Sequence, residues 1–296
     1  MSNSVNSASK KTKSKSELKV IIKRFGRNKL AVFGLVIFVI MALLVSFADL
    51  YMDYDGDALE MNMELQYAKP SIEHPFGCDR MGRDYFARVI YGGRISMSVG
   101  LATVSLSLLM GGTIGAIAAY FGGALDNLLM RIMDIFLAIP ATLMALTIIA
   151  TLGSSSIGTL LLALGIAQTP RMARIVRSAV IGIKDADYIE AARACGTGNT
   201  RIILRHIIPN AIGPILVQAT QTMARAVLII ASLSFIGLGV SEPTPEWGSM
   251  LSTVKTQMRY HPHLAIYPGI AMGLTVLSLT LIGDGLRDAM DPRLRN

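Results

Sequence analysis

Apolar residues in this chain come in runs near twenty, and that feature excludes most folds. The first run, about Leu30 to Ala48, carries no charge at all. A bilayer core of about 30 Å needs about 20 apolar helical residues to cross it. Strands of a membrane barrel would instead show shorter segments of alternating polarity. The chain therefore reads as an all-α, polytopic membrane protein. Composition agrees: of 296 residues, 52% are hydrophobic and 16% charged, with a mean hydropathy of +0.50. The first run is too long for the apolar part of a signal peptide and follows a long polar leader, so it reads as a retained span.

The net charge of +8 invites a nucleic-acid reading until it is located. Residues 1–29 hold nine Lys/Arg against one acid, Glu17, and this accounts for the whole excess. A basic tail directly before a span is the positive-inside signal, which puts the N-terminus in the cytoplasm. Attraction to anionic membrane lipid follows from the same charges, and no nucleic-acid partner is expected. The two cysteines, Cys78 and Cys195, fall on opposite sides of the membrane in this topology. That spacing argues against a disulfide framework or a cysteine metal cluster.

Ser2 to Lys15 is rich in Ser, Asn and Lys, a composition that points to disorder. "SELKVIIKRFGRNK" then mixes apolar and basic residues at roughly helical spacing, as in a helix lying on a membrane surface. After the first span come Asp49, Asp53, Asp55, Asp57, Glu60 and Glu64, an acidic stretch suited to the external side. Four arginines, Arg80, Arg83, Arg88 and Arg94, follow on that side against the charge rule. The second span is expected over about Ile95–Phe121, with a "GGALD" turn behind it. The third is expected over Asn127–Leu152 with Pro140 inside it. The fourth, about Thr159–Thr169, is too short alone and must borrow from "PRMARIV". A fifth is expected over about Ala211–Ile236 and a sixth over about Leu264–Ile282. The organisation is a basic cytoplasmic tail over 1–29, a first transmembrane helix over 30–48 and an external segment over 49–94. A five-helix core over 95–286 follows, with a cytoplasmic segment at 185–210 and a cytoplasmic C-terminal tail over 287–296. Small residues four apart, Gly111/Gly115 and Gly269/Gly273, read as close helix contacts.

Several candidate sites compete. "GTGNTR" (Gly196 to Arg201) suggests a phosphate loop, but that loop requires a lysine and a hydroxyl at a spacing absent from this chain. Any ATP must be held by another subunit. "HPH" at His261 to His263 has two imidazoles but no supporting cluster of metal ligands, so it reads as a loop. Arg131 and Asp134 lie three apart, share a helix face and can neutralise one another. A proton relay through them would define a proton-driven secondary transporter.

The stretch "DYIEAARACGTGNTRIILRHIIPN" has more specific content. Tyr188 to Ala194 lacks helix breakers, Asp185 and Asp187 are capping candidates, and Gly196 can end the helix in a left-handed conformation. "TRIILRHIIP" restarts a helix as far as Pro209. Two short helices around a glycine, exposing Ala191 and Ala192 with Glu190 at the rim, make a compact knob for a partner's cleft. On these residues alone an ordinary amphipathic interfacial loop is slightly the better reading.

The spacing Glu190-Ala191-Ala192, three residues, Gly196, nine residues and an apolar pair before Pro209 resembles the EAA motif of ABC importer permeases. His206 stands at that motif's Ile position and Ile208 at its Leu position. "HPFGCDRMGRDYFARVIYGGRIS", "AYFGGALDNLLMRIMDIFLAIP", "ASLSFIGLGVSEPTPEWGSML" and "LIGDGLRDAMDPRLR" look like the C-type subunit of the dipeptide/oligopeptide/nickel permeases (DppC/OppC type). The resemblance covers roughly residues 74–295. It implies a type I ABC importer permease fold with six transmembrane helices in a prokaryotic plasma membrane. It also implies a homologous permease as partner, two ABC ATPase subunits that carry ATP and Mg, and an external substrate-binding protein. Glu190, Ala191, Ala192, Gly196 and Pro209 would form the ATPase-coupling helix and its exit. No cofactor, metal or catalytic residue is expected on this chain. The substrate would be a di- or oligopeptide, with nickel or a metal chelate as the alternative in the same family. A membrane scaffold that recruits a partner through this loop is a reading of a third kind.

Overall fold

The computed structural model describes residues 20–153 and 156–290, and within them the chain is almost entirely helical. The Ser/Asn/Lys-rich tail, the centre of the "GSSSIG" turn and the last six residues lie outside the described residues. A short helix over 20–27 (α1) precedes α2 (Lys29–Ser46), and Asn28 between them caps α2 by accepting from the Leu30 and Ala31 amides. This cap lets an apolar helix start directly behind a basic one.

Five further long elements follow: α3 (Tyr85–Phe121), α4 (Gly123–Leu137), α5 (Ala141–Leu152), α6 (Ile157–Lys184) and α9 (Ile208–Phe235). Between α6 and α9 lie α7 (Asp187–Ala194), α8 (Asn199–Ile202) and a π turn (Ile203–Ile207). The chain closes with α10 (Trp247–Val254) and α11 (His263–Met290). α2, α3, α11 and the continuous helix Asn199–Phe235 are each long and apolar enough to cross a membrane, and α4 with α5 forms a bent pair that passes the same test. α6 has the length but carries Arg171, Arg174 and Arg177 in its second half.

Contacts fix which ends lie together. Asn28 donates to Asp288 at 3.4 Å, and Gly285 of α11 lies against Ala31 and Phe25, so α1 and the end of α11 share one end of the bundle. The Tyr85 hydroxyl donates to the Leu264 carbonyl at 2.6 Å, which joins the starts of α3 and α11 at the opposite end. We call these the tail end and the loop end. The α3–α6 contact forms the spine of the bundle. A Cβ on Gly111 would sit 2.4 Å from the Thr169 carbonyl oxygen, and one on Gly115 would sit 2.2 Å from that of Ala173. Without those side chains the two backbones can touch, which is how helices attract in lipid. Gly269 and Gly273, expected to do the same, have nothing within 4 Å. Their face of α11 is unpacked within this chain.

Three expectations need correction. The helix that holds the second span begins at Tyr85, ten residues before the expected Ile95, because Asp84 accepts from the Ala87 amide at 2.8 Å and starts the helix early. The third is not one helix: the chain breaks at Pro140 and α4 and α5 meet at 85°. Proline there removes an amide donor and clashes with the preceding turn. α4 has one buried residue, Met133, so little packing holds the helix straight against that cost. The Arg131–Asp134 pair does not form. Asp134 accepts instead from Arg174 of α6 at 2.5 Å, and Asp126 from Arg177 at 2.6 and 2.7 Å.

The loop end is held by a buried cluster of Asp79, Arg83 and Arg88 and by more exposed ion pairs around it. Arg83 pairs with Asp79 at 2.7 Å, Arg88 approaches Asp79 at 3.4 Å, and Arg80 pairs with Glu242 at 2.6 Å. Arg94 reaches Asp49 at 3.0 Å, and this hydrogen bond holds the Asp49 carboxyl below its usual range. Glu246, fully buried, accepts from the Gly248 and Ser249 amides and from the Ser96 hydroxyl, tying α10 to α3. Trp247 donates from Nε1 to the Val89 carbonyl at 2.8 Å. His261 stacks on Tyr67 with ring centroids 4.4 Å apart, which gives the "HPH" segment a packing role.

Candidate functional site

At the tail end the chain leaves α6, turns, and lays α7 across the bundle. Ala186 occupies the cap position of α7 without a side-chain hydrogen bond, while Asp185 closes α6 and Asp187 lies in the first turn of α7. Neither aspartate is the cap that the sequence suggested. The two acids at the start of α7, Asp187 and Glu190, still favour the helix through its positive N-terminal end.

The helix stops as expected. Gly196 has φ +73, its amide donates to the Arg193 carbonyl at 2.9 Å, and the Thr197 amide donates to the Ala192 carbonyl at 3.1 Å. These bonds close the last turn of α7 and satisfy its free carbonyls. Nothing lies within 4 Å of a Cβ built on Gly196 or Gly198, so the corner is fully open.

Glu190, Ala191 and Gly196 are exposed, and Ala192 is half-buried against the bundle. The outward surface of α7 thus presents Ala191 and Ala194 beside the carboxylates of Asp187 and Glu190, with Tyr188 and Arg193 also exposed at its flanks. Ile189 holds it in place: fully buried, it packs among Val176 and Val180 of α6, Tyr120 of α3, and Ile202 and Ile207 beyond the corner. Arg193 lies over the Tyr120 ring at 5.1 Å, and the Tyr120 hydroxyl donates to Asn199 Oδ1 at 2.8 Å. Ile189 was not singled out in the sequence, although an isoleucine alone in a polar helix facing "IIL" and "II" downstream was a signal for it.

Pro209 does not end the following helix. The chain passes through it into α9, and the π turn over Ile203–Ile207 lies directly before it, with the Ile208 amide donating to the Ile203 carbonyl. Widening the helix by one residue accommodates a residue that has no amide to give. A cavity of about 320 Å³ lined by Tyr188, Arg205, His206 and Asn210 sits beside α7. Partial burial there pushes the Tyr188 phenol above its usual value. Cys195, at the corner, is exposed and free, whereas the Cys78 thiol at the loop end is buried and pushed up to about 11.

An all-helical bundle with apolar outer faces, crossed by several membrane-length helices and carrying a short exposed helix at one end, is a multi-pass membrane protein of the transport type. Residues 111–296 match the family model "Binding-protein-dependent transport system inner membrane component", and residues 16–70 match "N-terminal TM domain of oligopeptide transport permease C". The chain belongs to this family of ABC importer permeases and is a transport subunit rather than an enzyme. Among its relatives is a dipeptide transport system permease protein of Alkalihalophilus pseudofirmus. It is 43% identical over 274 residues, covering 93% of this chain and 89% of the relative. A glutathione transport system permease protein of Pectobacterium atrosepticum is 38% identical over 275 residues, covering 93% and 90%. Among solved structures, the inward-facing MetNI methionine ABC transporter aligns with a TM-score of 0.58 at 18% identity. That alignment covers 69% of this chain and 97% of that one, and the likeness is one of fold.

Proposed function

We propose that this chain forms half of the translocation path of an ATP-driven, binding-protein-dependent importer of peptides, paired with a homologous permease. Two ATPase subunits supply ATP and Mg, and a substrate-binding protein docks at the loop end. The tail end faces the cytoplasm, as the basic N-terminal residues favour. The peptide substrate follows from relatives that carry dipeptide and glutathione transport in their names.

The observation that carries the coupling role is α7. It is an exposed eight-residue helix that presents Ala191 and Ala194 beside two acids, pinned by one buried isoleucine and ended at an open glycine corner. A cleft on an ATPase can close around Glu190, Ala191 and the Gly196 corner with little steric cost. Ala192 and Ile189 then pass the movement to α3 and α6. Such rigid-body motion between two packings is a common means of switching. Pro209 acts at the exit, where the π turn leads into α9.

Ala191→Arg places a long charged side chain on the docking face, and Gly196→Pro demands a φ near −65° where the chain has +73. Both variants should lower ATPase co-purification or leave hydrolysis running without uptake. Normal uptake and normal stimulated hydrolysis in both would refute the coupling role. The proton-driven alternative loses its motif, because Arg174 and Arg177 neutralise Asp134 and Asp126 across the α4–α6 contact.

A further inference from the structure

We infer that Arg225 of α9 is a carboxylate-binding station on the translocation path, at mid-depth in the membrane. The inference rests on the importer reading above and adds to it the group on the solute that this chain grips. Arg225 lies ten residues before the end of α9 at Phe235, about 15 Å along the helix at 1.5 Å per residue. Gly100, near the middle of α3, would place a Cβ 3.3 Å from Val227 and 3.6 Å from Met223, so Arg225 lies at the same level. A guanidinium at that depth is costly unless it faces water or a counter-charge. Its Nη1 is buried and has no hydrogen-bond partner. No carboxylate among the described residues pairs with it.

The helix face around it is mixed: Pro214, Leu228 and Phe235 are apolar, whereas Gln218, Gln221, Arg225 and Ser232 are polar. Positions 214, 218, 221, 225, 228, 232 and 235 alternate by four and three, and all are exposed or half-exposed, while Met223, Ala224, Ala226 and Val227 between them are buried. A face turned to lipid should be apolar, yet this one carries Gln218, Gln221, Arg225 and Ser232. Gln218 donates to Thr222 at 3.0 Å, so its amide is already oriented along the helix. A single acid on a partner subunit would account for Arg225 alone. Two glutamines on its tail side, Gln218 and Gln221, the latter donating to Asp284 at 3.5 Å, and Ser232 beyond Leu228 on its loop side add hydrogen-bonding groups that a polar solute can follow. The guanidinium fork suits a carboxylate better than any other group a peptide offers.

The test uses the whole transporter in proteoliposomes with its binding protein. The probes are a short alanine peptide as free acid and the same peptide as C-terminal amide. Because the binding protein is common to every sample, its own selectivity cancels between variants. The wild type should take up the free acid about tenfold or more faster than the amide, the range expected for one charge-assisted bond. Arg225→Gln should lower the acid-to-amide uptake ratio about tenfold relative to wild type, and Arg225→Lys should restore part of that ratio. If Arg225→Gln keeps the wild-type ratio, the station is refuted while the importer reading stands. If the wild type takes up neither peptide, the peptide-importer reading falls and takes the station with it.

A labelling experiment covers a variant that assembles poorly. Arg225→Cys in a Cys195→Ser background should react with a charged, water-soluble thiol reagent, and the free-acid peptide in excess should protect it. An unreactive cysteine there overturns the aqueous track.

Discussion

Truncating Ile189 tests whether α7 is a seated lever or only a surface turn. Its side chain is fully buried at the junction of α3, α6, α7 and the segment beyond the corner. Ile→Ala at such a site costs about 2–5 kcal/mol through lost transfer energy and the cavity left behind. The other holds on α7 are small: the partly buried methyls of Ala186 and Ala192 and Arg193 over the Tyr120 ring, the last worth about 0.5–1 kcal/mol at an exposed site. The isoleucine therefore supplies most of what keeps the helix down. At 1.4 kcal/mol per tenfold, its loss raises the detached population by a factor of about 30 to about 4,000. Hydrogen exchange of amides 187–197 should speed up in that proportion in Ile189→Ala and by much less in Ile189→Val. Val104→Ala, in a separate core cluster, should leave those amides unchanged. In the assembled transporter, Ile189→Ala should lower uptake per ATP hydrolysed. Unchanged exchange would refute the anchoring argument, and faster exchange with normal coupling would refute the lever.

Three other outcomes follow from the packing. Gly115→Ala forces a methyl to 2.2 Å from the Ala173 carbonyl oxygen and should cost about 1–3 kcal/mol. Gly269→Ala, with open space around it, should be near neutral in the same denaturation series. Asp79→Asn leaves Arg83 and Arg88 buried without their shared carboxylate and should cost about 3–5 kcal/mol, read as a loss of folded yield. A maleimide at neutral pH should label Cys195 and spare Cys78, whose buried thiol is pushed up to about 11. Bound ATPase should then protect Cys195.

Most of the spans were legible because their apolar runs are long enough to demand a membrane; the fourth run was too short alone, and α6 is not among the helices that pass that test. What the prolines do was not legible. Pro140, Pro170, Pro214 and Pro268 all interrupt helical sequence, yet only Pro140 breaks its helix. The others lie in helices packed along their length, and α4 lacks that support. Ion pairing misled for a similar reason. Arg131 and Asp134 have the right local spacing, but Arg174 arrives from a helix forty residues on. The four arginines that offended the charge rule resolve in the same way, since each ends on Asp49, Asp79 or Glu242. In the candidate site, the glycine corner and the small outward residues were readable from the motif. The anchor left only a hint, a lone isoleucine in a polar helix, because burial of Ile189 depends on residues more than ten positions away. Arg225 was readable in principle, as an arginine inside an apolar run.

The two sites are mechanically joined. From Asn199 to Phe235 the chain is one continuous helix of 37 residues, and its tail-end turn begins at the Gly196–Gly198 corner of the lever. Arg225 rides on that same helix about 39 Å from Asn199 at 1.5 Å per residue. The one irregularity between them is the π turn over Ile203–Ile207, where the hydrogen-bond register can change locally. A movement of α7 that rotates α8 therefore reaches Arg225 as rotation of its helix face, less whatever the π turn absorbs. At the far end, Gly248 of α10 lies against the Ala231 backbone, and the buried Glu246 ties α10 to Ser96 of α3. That end acts as the fixed pivot. On the coupling role proposed above, a lever at one end, a pivot at the other and an unpaired guanidinium between them would let ATPase closure turn Arg225 toward the path or away from it. Deleting one residue from the π turn should shift the Arg225 face by about 100° relative to α7. That would stop uptake while leaving ATPase binding intact, an outcome that separates this linkage from two sites acting independently.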